Sequence, residues 1–229
     1  MYAFSGTSSW ENLGSAPGLS EKTFSDRLRP ETVDDLLLPE RQIARLKRMI
    51  ETGDPMNLIF YGTPGRGKTS AAKILASGLK DRFEIREWNG SLSNGDKTFA
   101  REINDFACPT TLLGVNSDKL AFIDEADALT KPVQESLRYI IETARRCRFI
   151  MTANEIKRIT PAIRSRLFPV DFDITESGVK EVLRRLHKRI PERFDSMGIE
   201  YNLEKVQEII STYYPDMRAV ANRLDFEFG

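Results

Sequence analysis

Apolar positions along this chain follow two different periods, and the change from one to the other divides it. Short apolar runs at 57–61, 83–88, 120–124, 148–152 and 169–172 are bounded by turn residues and read as strands. Helical stripes lie between them. In 41–52, Ile43, Leu46, Met49 and Ile50 share one helix face, and Gly53-Asp54-Pro55 stops the helix. Residues 98–106 and 132–143 carry similar stripes. Strands alternating with helices predict a mostly parallel sheet covered on both faces. After Asp173 the strands cease. Val179, Val182, Leu183, Leu186 and Ile190 form one stripe; Val206, Ile209, Ile210 and Tyr213 form a second; Met217, Val220, Ala221 and Leu224 form a third. The expected fold is therefore α/β over 23–173, followed by a small helical unit over 174–229. Residues 1–22 are rich in Ser and Gly without an apolar period and read as a flexible arm. No internal repeat is visible.

Composition changes this picture little. The 229 residues include 34 basic and 34 acidic side chains, so no global basic field exists and any nucleic-acid contact must come from a local stripe. Cys108 and Cys147 are the only cysteines and His187 the only histidine, too few for a zinc site and consistent with two free thiols in a reducing compartment. No apolar run has membrane-spanning length and no signal-peptide pattern opens the chain, so a cytoplasmic location is expected.

The chemistry is concentrated in two motifs. Gly62-Thr63-Pro64-Gly65-Arg66-Gly67-Lys68-Thr69 is a G-x-x-x-x-G-K-T loop between a predicted strand and a predicted helix. Its glycines let backbone N–H groups face phosphate oxygens. Lys68 supplies a point charge to the β- and γ-phosphates, and the Thr69 hydroxyl suits Mg²⁺. The helix N-terminus adds its dipole to the same anion. Gly65, Arg66, Gly67, Lys68, Thr69 and Ser70 are the expected nucleotide contacts. The second motif is Leu120-Ala121-Phe122-Ile123-Asp124-Glu125-Ala126-Asp127. A buried strand ending in carboxylates places them where an open α/β sheet binds ligands. Asp124 can hold Mg²⁺ and Glu125 can polarise an attacking water, whereas alone the pair could equally be a solvated acidic turn.

Further segments carry a family resemblance. They are Arg29-Pro30-Glu31-Thr32-Val33-Asp34-Asp35-Leu36, Asn89-Gly90-Ser91, and the run from Leu129 to Arg138 that contains Gln134-Glu135-Ser136-Leu137-Arg138. Thr152-Ala153-Asn154, the run from Ile156 to Arg166, and Pro215-Asp216-Met217-Arg218 complete the set. Together and in this order, over about residues 24 to 228, they resemble the AAA+ clamp-loader small subunits of the replication factor C type. Leu37-Leu38-Pro39 is closest to the T-even phage members. Leu167 stands where the family carries cysteine in its Ser-Arg-Cys motif.

The resemblance implies an AAA+ P-loop domain with a central parallel sheet and a helical lid. It implies ATP hydrolysis with Mg²⁺ in a ring with other subunits, opening a sliding clamp and loading it at primer–template DNA. Asn154 corresponds to sensor 1, Arg218 to sensor 2, and Arg166 to an arginine finger acting in trans on a neighbour. Asp26, Arg27, Leu28 and Leu37, on either side of the segment that walls the adenine, are implied nucleotide contacts as well. Family members continue into a helical collar, whereas this sequence stops at Gly229. Ser91, Lys97 and Arg101 are the candidate DNA-phosphate contacts, preceded or followed by Ser93, Asn94 and Gly95, and are equally a polar loop entering an amphipathic helix. Thr110-Thr111-Leu112-Leu113-Gly114 lies where the family approaches the clamp, and core packing explains it equally well. His187 among Arg184, Arg185, Lys188 and Arg189 reads as a solvated helix face. Two other functions remain open on these residues: another AAA+ remodeller such as a helicase loader, or a nucleotide-binding scaffold without turnover.

Overall fold

The computed structural model describes residues 24–93, 97–108 and 118–229. The chain begins with the short helix α1 (Phe24–Arg27) and then alternates: α2 (Glu40–Thr52), β1 (Leu58–Tyr61), α3 (Lys68–Leu79), β2 (Phe83–Asn89), α4 (Lys97–Ala107) and β3 (Asp118–Asp124). It continues with α5 (Lys131–Thr143), β4 (Cys147–Ala153), the one-turn α6 (Pro161–Arg164) and β5 (Phe168–Asp171). Three helices close the chain: α7 (Glu176–Met197), α8 (Leu203–Tyr213) and α9 (Met217–Phe228). The expected arm at 1–22 and the segment 110–114 lie outside the described residues.

The five strands form one all-parallel sheet in the order β2-β3-β4-β1-β5. Side chains alternate across each strand and so feed two cores. From β3, Ala121 and Ile123 enter one cluster with α4 and α5, while Leu120 and Phe122 enter the other with α2 and α3. Strand β3 is buried at every position but its first, as a central parallel strand covered on both faces must be. Pro169 cannot donate to a ladder and sits on β5, an edge strand, where that loss is tolerated. Helix α2 stops because Gly53 adopts φ 64°, a left-handed cap that glycine takes without strain.

Helices α7–α9 bury their own cluster around Phe194, Val206, Ile210 and Leu224. Two details differ from the apolar pattern. The stripe on α7 ends at Ile190, yet the helix runs through Pro191 to Met197. Fully buried Phe194, with ring centroids 5.2 Å from Tyr201 and 5.7 Å from Phe228, offsets the backbone bond that proline cannot make. Tyr213, expected on the inner face, is exposed at the C-terminus of α8, and Tyr214 packs against the cluster instead.

Phe194→Ala is expected to cost about 3–5 kcal/mol in urea unfolding, the range for emptying a buried aromatic site. Phe226, 78% exposed on the same bundle, serves as the control. Phe226→Ala should stay within about 0.5 kcal/mol of wild type. Equal effects of the two substitutions would contradict the assigned core.

Candidate functional site

Register brings the site together. Tyr61 of β1 pairs with Ala153 of β4, and Met151 of β4 pairs with Ile123 of β3. The chain therefore leaves β1 at Gly62, β3 at Glu125 and β4 at Asn154 on one edge of the sheet, beyond the strands' carboxyl ends. After β1 the loop turns through Gly65 (φ 79°) and Gly67 (φ 86°), and α3 starts at Lys68. These dihedrals explain glycine at both positions.

Lys68 is 7% exposed. Its Nζ donates to the carbonyl oxygens of Gly62 (2.7 Å) and Thr63 (2.9 Å), so the ammonium is folded onto its own loop. Burial lowers its pKa from the ordinary lysine value; Asp173, Asp127 and Asp124 oppose the shift, and Arg218 adds to it. Asp173, two residues after β5, fixes the loop by accepting from Thr63 N (3.1 Å) and Thr63 Oγ1 (2.7 Å).

At the end of β3 the acidic pair hangs on a threonine of the next strand. Thr152 is 2% exposed; its hydroxyl donates to Asp124 Oδ1 (2.5 Å) and accepts from the Glu125 N–H (2.9 Å). Thr69 Oγ1 donates to the same Asp124 oxygen at 2.9 Å, joining the phosphate loop to the acidic motif. Glu125 has φ 51°, ψ 44°, a left-handed conformation that is uncommon for a residue with a side chain and marks stored strain at a site. Gly90 lies beneath it: a Cβ there would stand 2.5 Å from the Glu125 carbonyl oxygen. Asp127 accepts from Asn154 N (3.1 Å) and Glu155 N (3.2 Å), fixing the turn that carries Asn154.

Helix α9 approaches from the other side. Asp216 caps it by accepting from Arg218 N (2.9 Å) and Ala219 N (3.2 Å), while Met217 N donates to Gly65 O at 3.0 Å. The groups enclose a cavity of about 570 Å³, within the range of small-molecule sites. Of the sequence-predicted residues, Leu28, Leu37, Gly65, Arg66, Gly67, Lys68, Thr69, Ser70, Asp124, Glu125, Asn154 and Arg218 line it. Asp26 and Arg27 do not: Asp26 pairs with Arg29 at 3.2 Å, and the Arg27 carbonyl accepts from Arg193.

Arg166 also stands outside the cavity. Its Nη2 lies 2.9 Å from Glu142 Oε2 and its Nη1 donates to Ala162 O at 2.7 Å. Among the DNA candidates, Ser91 Oγ donates to Asn89 Oδ1 (2.7 Å), and Arg101, exposed on α4, lies 3.8 Å from Asp105. Lys97 opens α4, and Asn94 and Gly95 lie outside the described residues. The reading of α7 as a solvated face is corrected for Arg185 and Arg189, both of which bind backbone carbonyls of the segment before α2. Periodicity marks a polar face without showing that another segment covers it.

Residues 58–175 match the ATPase family associated with various cellular activities (AAA). The chain belongs to the AAA family. AAA proteins named "Replication factor C small subunit" are its relatives in sequence. The small subunit 1 of Pyrobaculum arsenaticum is 33% identical over 90% of this chain and 62% of the relative. The small subunit of Methanoculleus marisnigri is 37% identical over 87% of this chain and 61% of the relative. The chain thus spans under two thirds of the length of these relatives. In structure, the Thermotoga maritima RuvB Holliday junction branch migration motor superposes with a TM-score of 0.61 at 22% identity, covering 87% of this chain and 64% of that one. That likeness is one of fold. Among the described residues, no helix is long and apolar enough to cross a membrane.

Thr152, which the motif reading passed over as the residue before Ala153-Asn154, generates a test. Thr152→Val removes the acceptor of the Glu125 N–H and the donor to Asp124. It should cost about 1–3 kcal/mol in urea unfolding, as orphaned buried polar groups do. Thr152→Ser should recover most of the loss. A valine variant as stable as wild type would show that the hydroxyl does not hold the turn.

Proposed function

We propose that this chain is an ATP-hydrolysing clamp-loader subunit, which helps to open a sliding DNA clamp and load it at primer–template junctions. The observation that carries the reading is the shared cavity. One wall is the glycine loop with Lys68, a second is Asp124 and Glu125, and a third is α9 with Arg218. The relatives named replication factor C small subunit support the clamp-loading part. In this reading residues 23–173 are the ATPase unit and 174–229 the lid.

Each residue then has a role. Backbone N–H groups of the loop bind the phosphates, and Lys68 exchanges the Gly62 and Thr63 carbonyls for phosphate oxygens. That exchange replaces two neutral acceptors by charged ones and offsets the cost of its burial. Thr69 Oγ1 and Asp124 Oδ1, 2.9 Å apart, suit Mg²⁺, which takes few protein ligands beside phosphate. When bound, Mg²⁺ would supply charge neutralisation at the phosphates. Glu125 takes the proton of the attacking water, held in line by the Thr152 hydroxyl on its backbone. Asn154 orients that water through its amide, and Arg218 places a permanent charge on the phosphates from the lid side. Arg166, held by Glu142 away from this cavity, serves a neighbouring subunit's site. The partners in this reading are other subunits of the ring, a sliding clamp and primer–template DNA.

Two experiments test the chemistry. Glu125→Gln should keep ATP affinity within a few-fold and lower turnover by roughly 10²–10⁴, the weight of a general base. Lys68→Ala should weaken ATP binding itself. An assembled complex with wild-type turnover after Glu125→Gln would remove that residue from its role.

The trans arrangement has its own outcome. Arg166→Ala should leave nucleotide binding to the separate chain unchanged, yet lower turnover in the assembled ring by up to the 10³–10⁵ typical of arginine fingers. Mixed rings of Arg166→Ala and Glu125→Gln chains should recover activity wherever an intact Glu125 faces an intact Arg166. A chain that hydrolyses ATP at a rate independent of concentration and insensitive to Arg166→Ala would instead be a self-sufficient ATPase.

A further inference from the structure

Helix α7 carries Arg185, Arg189 and Arg193 at four-residue spacing, which stacks three guanidinium groups on one face. All three turn to the segment 27–38. Arg185 Nη1 donates to Leu38 O (2.9 Å), and its Nη2 donates to Asp34 O (2.7 Å) and Leu36 O (3.1 Å). Arg189 donates to Asp35 O, with its Nε 3.4 Å from Asp35 Oδ1. Arg193 Nε donates to Arg27 O (3.0 Å), and its Nη2 lies 2.9 Å from Glu31 Oε1. Five carbonyls of one segment thus take their donors from three side chains of one helix.

The segment needs this arrangement because of where it runs. It is not a strand of the sheet, so no ladder satisfies its carbonyls. Leu36 and Leu38 point into the core beside the sheet, whereas Leu37 between them packs on the α7–α9 cluster. The backbone is left along the seam, facing α7. There the planar guanidinium fork, with five donors in fixed geometry, can span carbonyls on residues two and four apart. The same seam lines the cavity. Leu28, Pro30, Leu37 and Ile190 give it apolar side chains suited to a flat heteroaromatic ring, with Arg189 and Arg193 beside them on the cavity wall.

We propose that Arg185, Arg189 and Arg193 are positioning residues for the nucleotide base: they hold the segment 27–38 ready as a wall, so that the base binds without first ordering it. The proposal rests on the nucleotide-binding reading above. Ordering chain at the moment of binding weakens affinity, and a wall already held escapes that loss. The phosphates, gripped by the glycine loop, gain nothing from the ladder. The device therefore separates two contributions to affinity that a general structural role would move together.

Arg185 is the residue to test, because it makes three of the backbone bonds and does not itself line the cavity. Calorimetric titration of the 229-residue chain with ATP, and separately with inorganic tripolyphosphate, reads the two contributions. Arg185→Met is expected to weaken ATP about tenfold, the scale of ordering one or two residues, and to leave tripolyphosphate within twofold. Arg185→Lys, which keeps the charge but reaches one carbonyl, should give a smaller loss with the same split. It also supplies the test if the Met variant does not fold. Unchanged ATP affinity in a folded variant overturns the proposal, and so does a parallel loss of both ligands. Wild-type protein that binds tripolyphosphate and ATP equally well overturns it too, since no contribution from the base would exist. Wild-type protein that binds neither ligand overturns the nucleotide-binding reading itself.

Discussion

Asp124 Oδ1 receives two hydroxyl protons, one from Thr69 on α3 and one from Thr152 on β4. This three-residue knot is the constraint on which the site depends. Thr69 fixes where α3 begins, and with it the direction of the glycine loop. Thr152 also receives the Glu125 N–H, so the strained turn after β3 is tied to the strand beside it. A carboxylate at the end of a central strand is poorly solvated, and two charge-assisted bonds, one of them short, offset that loss. Because all three residues sit at the ends of rigid elements, the geometry of the site follows the sheet register and not loop flexibility.

Around this knot, acidic side chains act as structural ties for backbone N–H groups. Asp173 holds Thr63, Asp127 holds the turn at Asn154 and Glu155, and Asp216 caps α9. Each works by accepting, which leaves Asp124 and Glu125 as the acidic side chains placed for chemistry in the proposed mechanism. Gln134 makes a comparable tie further out. It donates to Leu129 O and Arg158 O and accepts from Thr160 N, joining the start of α5 to the loop that leads to Arg166. The acidic turn and the segment before Arg166 are thus connected through a buried amide.

The seam between the sheet and the helices α7–α9 has a different construction. It joins through Leu37 and the arginine face of α7 on one side, and through the contact of Met217 N with Gly65 O on the other. Both joints reach the cavity walls. A ligand seated there would contact both units at once, which is the physical requirement for coupling ligand state to the angle between them.

The sequence by itself determined the parallel α/β class, the start of α3 at Lys68 and the acidic end of β3. These follow from local rules: apolar period, glycine spacing and the residues a phosphate loop requires. Boundaries were legible to a residue or two, as at α2 and β4. What only the tertiary structure decided was partnership. Thr152 looked like one more strand residue because its role is a bond to chain 28 positions away. Arg185 and Arg189 looked like solvated charge because helix periodicity reports which residues share a face, and not what covers it. Tyr213 and Tyr214 exchanged places because both are aromatic and adjacent at a helix end, where packing and not period selects the one that turns inward. The common reason is range: backbone preference and amphipathic pattern are encoded within a few residues, whereas a buried hydrogen-bond partner is chosen by the fold.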